Sequence, residues 1–250
     1  TFCRFFSVPH IYPVYIPQDD ADLITLTRHT LRVCYYMSMS PAKKVQVFAW
    51  AASTASVALS LLAWGNGISW QLSSRQPLAY QIFPLLGLTA FSLMWSHYVT
   101  SAFRTRQNVP RGILKTYLEI TSTLVLIAIL LHPGLLWVQL WRDGFGLPPN
   151  SYLQHYVAPT LRWAAMLGTL SLVAFLAYEL RRKFASRSWW KYVQRASDVG
   201  MIAIFIHGLK LGRNLQTSWF KYIWYFYGVS LILSMVYVYG QQKRAKGKDS

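Results

Sequence analysis

The chain has 250 residues, of which 54% are hydrophobic, 16% aromatic and only 13% charged, with a formal net charge of +17. Soluble domains carry about 25% charged residues, so this composition points to an integral membrane protein and excludes an ordinary soluble enzyme. A basic excess can signal nucleic acid or anionic lipid. Its placement along this chain follows membrane topology instead, and no nucleic-acid partner is expected.

Residues 1–45 read as a cytoplasmic N-terminal segment. Pro9, Pro13 and Pro17 with Asp19, Asp20 and Asp22 give an irregular stretch, and Leu23 to Tyr36 fits a short surface helix. The opening residues, from Thr1, lack the basic stretch and short apolar core of a cleavable signal. Cys3 and Cys34 both precede the first span, too few for a disulfide framework or metal cluster, and are expected to be reduced. His10 and His29 lie in the same segment and carry no signal.

A membrane helix needs about 20 apolar residues. Six such segments follow, near 46–65, 79–102, 116–138, 157–179, 193–211 and 219–239. No charge occurs from Val45 to Ser74 or from Ile120 to Trp141. The fifth segment is interrupted by Asp198 and Lys210, which suits a helix shielded inside a bundle. The expected fold is all-α: a six-transmembrane-helix bundle over 46–240, followed by a basic cytoplasmic tail at 241–250. Internal repeats, Gly-rich nucleotide loops, hydrolase triads and room for a flavin or nicotinamide domain are all missing from the sequence.

Lys and Arg set the orientation through the positive-inside bias. Nineteen of the 25 fall before the first span, in the second and fourth connections, or after the sixth span. The other six are Arg75, Arg142, Arg162, Lys210, Arg213 and Lys221. Both termini are therefore expected in the cytoplasm, in a plasma or bacterial inner membrane, with anionic-lipid contact as a secondary consequence.

Two histidines stand out. His132, in Leu-Leu-His-Pro, and His207, in Phe-Ile-His-Gly, lie on the third and fifth segments, which run in the same direction. His132 follows Lys115 by 17 residues and His207 follows Lys191 by 16. Both should therefore sit at nearly the same height in the outer half of the membrane, given about 1.5 Å of rise per residue. A titratable ring at that depth is costly and usually functional, and two matched imidazoles can ligate a haem iron from both sides. Hydrogen bonding to a neighbouring helix is the plainer reading of either one. Pro133 would loosen the helix beside His132, and Gly208 would leave room for a porphyrin beside His207.

Other residues carry two readings each. Arg162, at the outer start of the fourth span, could pair with haem propionates or reach towards lipid headgroups. His97 could be a second cofactor ligand, a quinone contact or an interfacial polar residue. Glu119 and Asp198 could relay protons or pair with Lys115 and Arg195. His155 lies at the outer mouth of the fourth span. Trp137, Trp141, Trp163, Trp219 and Trp224 suit an outer aromatic belt or a docking face.

Histidines on the third and fifth of six spans resemble the ferric-reductase-like transmembrane domain family. That family takes in the membrane cores of ferric reductases and NADPH oxidases and MsrQ-like haem subunits. The likeness covers about residues 46–240. It rests on Leu-Leu-His-Pro at 130–133 and on the run from Trp190-Lys-Tyr-Val-Gln-Arg to His207. It implies a cytochrome b-like electron-transfer protein with haem b on His132 and His207. Two-haem members carry a further histidine before each of these. Here the positions thirteen residues earlier are Glu119 and Gln194, so a single haem is expected.

Those residues are separated from the histidines by about 20 Å of helix, which points to quinol in the bilayer or an external donor rather than cytoplasmic NADPH as the source of electrons. The acceptor would be an outer-side partner reductase. Two other readings stay open: the membrane half of a ferric reductase fed by a separate flavoprotein, or a haem-free scaffold, assembly factor, transporter or complex subunit.

Overall fold

The computed structural model describes residues 39–67, 77–179, 186–217 and 219–246. Cys3, Cys34, His10, His29, the surface helix expected at 23–36, Arg75 and the basic run at 181–183 lie outside the described residues. No strand occurs among those described. The helices are α1 (Pro41–Gly67), α2 (Leu78–Arg106), α3 (Lys115–Arg142), α4 (Arg162–Glu179), α5 (Trp190–Leu211), the short α6 (Arg213–Thr217) and α7 (Phe220–Lys246).

Five helical stretches are long and apolar enough to cross a membrane: Pro41–Gly67, Leu78–Arg106, Arg111–Arg142, Pro159–Ala177 and Phe220–Arg244. The chain is thus an all-α membrane protein. At 22 residues, α5 would reach about 33 Å at the usual helical rise. Its charged residues keep it outside that group.

Several boundaries differ from expectation. The first helix begins at Pro41, and α7 runs on to Lys246, so most of the expected basic tail is helical. The fourth helix begins at Arg162 rather than 157, because a π turn (Ser151–Tyr156) and a 3-10 turn (Pro159–Leu161) precede it. Pro133 does not end α3; the helix continues through it to Arg142. After α2 the chain turns on Asn108, in the left-handed region at φ 51°, where asparagine is tolerated. The Arg104 guanidinium closes that turn by donating to the Val109 carbonyl at 2.8 Å.

The helices associate as two close pairs, α2 along α3 and α4 along α5, while α1 and α7 both pack on α2. A core of Leu88, Phe91 and Trp95 from α2, Met201 from α5, and Phe220, Trp224, Tyr227 and Leu231 from α7 joins the pairs. Leu124, Ile127, Leu130 and Leu131 of α3 are exposed, as are Val229, Ile232 and Leu233 of α7. Such faces belong against lipid.

Lipid is as apolar as leucine, so helices in it adhere through close packing and hydrogen bonds rather than through burial alone. The chain shows both. Ser53, Ser96 and Tyr117, from α1, α2 and α3, form a closed triangle of hydroxyls at 2.8–2.9 Å. Ser60 and Ser92 meet at 2.8 Å one step along the same seam. Asp198 of α5 accepts from Tyr98 of α2 at 2.7 Å and from Tyr239 of α7, so one carboxylate ties three helices together.

Candidate functional site

Between the two helix pairs lies a cavity of about 830 Å³. Its walls are largely apolar and aromatic, with Phe91, Trp137, Phe175 and Trp224 among them, and both His132 and His207 line it. The volume lies in the range of small-molecule and cofactor sites, about 300–1,000 Å³.

The two histidines are held in the same way. His132, on α3, reaches across to α2, where its Nδ1 lies 2.6 Å from the Phe83 carbonyl oxygen. His207, on α5, reaches across to α4, where its Nδ1 lies 2.8 Å from the Ala164 carbonyl oxygen. A carbonyl can only accept, so Nδ1 carries the proton in both rings and Nε2 keeps its lone pair. Neither Nε2 has a hydrogen bond among the described residues.

A glycine lies beneath each ring, four residues beyond the accepting carbonyl. A Cβ at Gly87 would stand 2.8 Å from Cε1 and 2.9 Å from Nδ1 of His132. One at Gly168 would stand 2.6 Å from both Cε1 and Nδ1 of His207. Real side chains do not approach that closely, so only glycine lets each imidazole lie flat on the neighbouring helix. Gly208 lines the cavity beside His207 and also lets α7 approach. Its vacant Cβ position is filled by Trp224 of α7, whose Cζ2 would be 2.6 Å away.

The remaining sequence candidates divide by position. Arg162 does not line the cavity: its Nε donates to the Leu153 carbonyl at 2.8 Å, bracing the π turn. His97 meets the Thr121 hydroxyl at 2.7 Å and the edge of Tyr117, away from the cavity. His155 stacks on Phe145 at 4.8 Å. Glu119 and Gln194 are both exposed. Asp198 serves the three-helix tie described above. Of the five tryptophans, Trp137 and Trp224 line the cavity while Trp141, Trp163 and Trp219 are exposed.

One end of the cavity is formed where α2 and α4 begin and α3 and α5 end. There Tyr80 donates to Asp143 at 2.5 Å, and Gln139 donates to the same carboxylate at 2.8 Å. Tyr80 stacks on Tyr156 at 5.9 Å, and Tyr156 sits edge-on to Phe83. Burial raises the Tyr156 phenol above its ordinary value, with nearby Arg213 pulling the other way. Lys210, Arg213 and Asn214 complete this rim.

The donor set fits a porphyrin iron. A free metal ion would need more protein ligands, and no cluster of three or more His, Cys, Asp or Glu suited to one occurs among the described residues. Haem iron asks the protein for axial ligands only. Metal-ligating histidine also characteristically donates its other N–H to a carbonyl or carboxylate, as both rings do here. Comparison with protein-family models, curated proteins and solved structures finds no match.

The two glycines and the two carbonyls were not singled out in the sequence. Neither has a local signature, because each matters only through a ring on another helix.

Proposed function

We propose that the chain is a six-span, cytochrome b-like electron-transfer protein of the ferric-reductase-like kind, holding one haem b between His132 and His207. The observation that carries this reading is the matched pair of Nδ1-anchored imidazoles lining one apolar cavity. Haem bound there supplies a one-electron carrier. The chain's own residues fix each ring's tautomer and direction, and the aromatic walls exclude water from the cavity. In the proposed topology both termini are cytoplasmic and α5 is the fifth span, shielded by α4.

The exposed positions of Glu119 and Gln194 favour a single haem over a stacked pair. A single haem near the outer face favours quinol as donor and an outer-side reductase as acceptor, over transfer from cytoplasmic NADPH.

The test is a reduced-minus-oxidised spectrum of detergent-purified protein, alongside His132→Ala and His207→Ala. One low-spin b-type haem per chain, lost or made high-spin in both variants, is the expected result. Two haems would return the reading to transmembrane transfer, as in a ferric reductase served by a flavoprotein. A well-folded wild type without haem would leave a scaffold or transporter.

A further inference from the structure

Resting on the haem reading, we infer that the rim made by Lys210, Arg213 and Asn214, rather than Arg162, is the carboxylate-binding site that orients the porphyrin by its two propionates. Among the described residues, Lys210 and Arg213 are the Lys and Arg residues that line the cavity, and no Asp or Glu lines it. Lys210 lies three residues beyond His207 on the same helix. That displaces it along the helix axis by about 4.5 Å, from ligand depth towards the cavity mouth. Lys210 also has no hydrogen bond or ion pair among the described residues.

Asn214 adds a neutral polar group to the same rim. Its side chain is only 8% exposed, lines the cavity and has no hydrogen-bond partner among the described residues. The amide faces the cavity, where its NH₂ would donate to a carboxylate oxygen. The amide is packed against Gly67 of α1, so a side chain at that glycine would displace it. Asp143, at the same end of the cavity, is already engaged by Tyr80 and Gln139 and does not line the cavity.

Charge-assisted hydrogen bonds are roughly twice as strong as neutral ones. The run from His207 to Asn214 therefore provides an axial ligand and the means of fixing the ring's rotation within eight residues.

The deciding experiment titrates full-length apoprotein in detergent with ferric haem and with its dimethyl ester, which keeps iron and ring but has no carboxylates. Binding is followed through the low-spin absorption band. Wild type should prefer haem by about tenfold or more. Lys210→Met and Arg213→Gln should each shrink that preference several-fold, whereas Arg162→Gln should leave it unchanged. The preference is a ratio within one protein, so a general loss of fold does not imitate it. Equal affinity of wild type for both porphyrins would overturn the rim assignment and leave the histidine site standing. So would a preference removed by Arg162→Gln alone. If neither porphyrin binds wild type, both readings fall.

Discussion

Each imidazole in the cavity is constrained by two backbone features of a neighbouring helix. One is a carbonyl that takes the Nδ1 proton; the other is a glycine on which the ring rests. Gly87→Ala and Gly168→Ala probe this directly, since the added methyl would stand within 3 Å of ring atoms. Overpacking of this kind costs about 1–3 kcal/mol. Both variants should unfold earlier on heating in detergent, and the haem proposed for this site should be lost or become high-spin. Gly134, whose Cβ position is open, is the control: Gly134→Ala should change neither property. The histidines themselves were legible in the sequence, because a titratable residue within an apolar run has few inconspicuous explanations. Their anchors were not, because Gly87 and Gly168 look like any other small residue in a membrane helix until the ring above them is placed. Arg162 shows the converse failure. Its charge and position along the chain suggested a propionate or lipid-headgroup contact and gave no hint that its guanidinium supports the turn before α4.

Among the elements, α5 carries the greatest tension. It holds His207 but also Lys191, Arg195, Asp198 and Lys210, and it falls outside the set of helices apolar enough to cross on their own. A carboxylate at the centre of an inserting helix costs about 2.5–3.5 kcal/mol. In the folded chain Asp198 instead receives two phenol hydrogen bonds, from α2 and α7. Two opposed effects of one substitution follow. In an insertion assay the isolated segment 190–211 should insert poorly, and Asp198→Leu should improve it. In the intact protein Asp198→Leu should lower stability by about 1–2 kcal/mol, the upper part of the range for interhelical hydrogen bonds in membranes, read as earlier thermal unfolding. The interruption in this segment was visible in the sequence. The partners that answer it, Tyr98 and Tyr239, were not, because they lie far away along the chain.

For the whole molecule, the helical content and all five strongly apolar stretches were legible to within a few residues, since length and hydropathy alone set them. The fourth opens on a 3-10 turn, Pro159–Leu161, before its α-helix begins at Arg162. Sidedness is a separate matter, resting on where nineteen of the 25 basic residues fall. Single cysteines at Asn108 and Gly146, in a version lacking Cys3 and Cys34, check it. An impermeant thiol reagent should label position 146 in intact cells and position 108 only after the membrane is opened. The opposite pattern would invert the proposed topology and move both histidines to the cytoplasmic half.

Each histidine is fastened to its own helix pair, His132 to α2–α3 and His207 to α4–α5, and neither is fastened to the other pair. The pairs therefore act as two jaws, and the gap between the imidazoles is set by how the jaws meet rather than by either helix. The spacing of the imidazoles becomes a collective property of the bundle, held where the α2–α5–α7 core joins the pairs. A vice of this build gives lateral pressure from the surrounding bilayer a mechanical path to the two nitrogens at its centre.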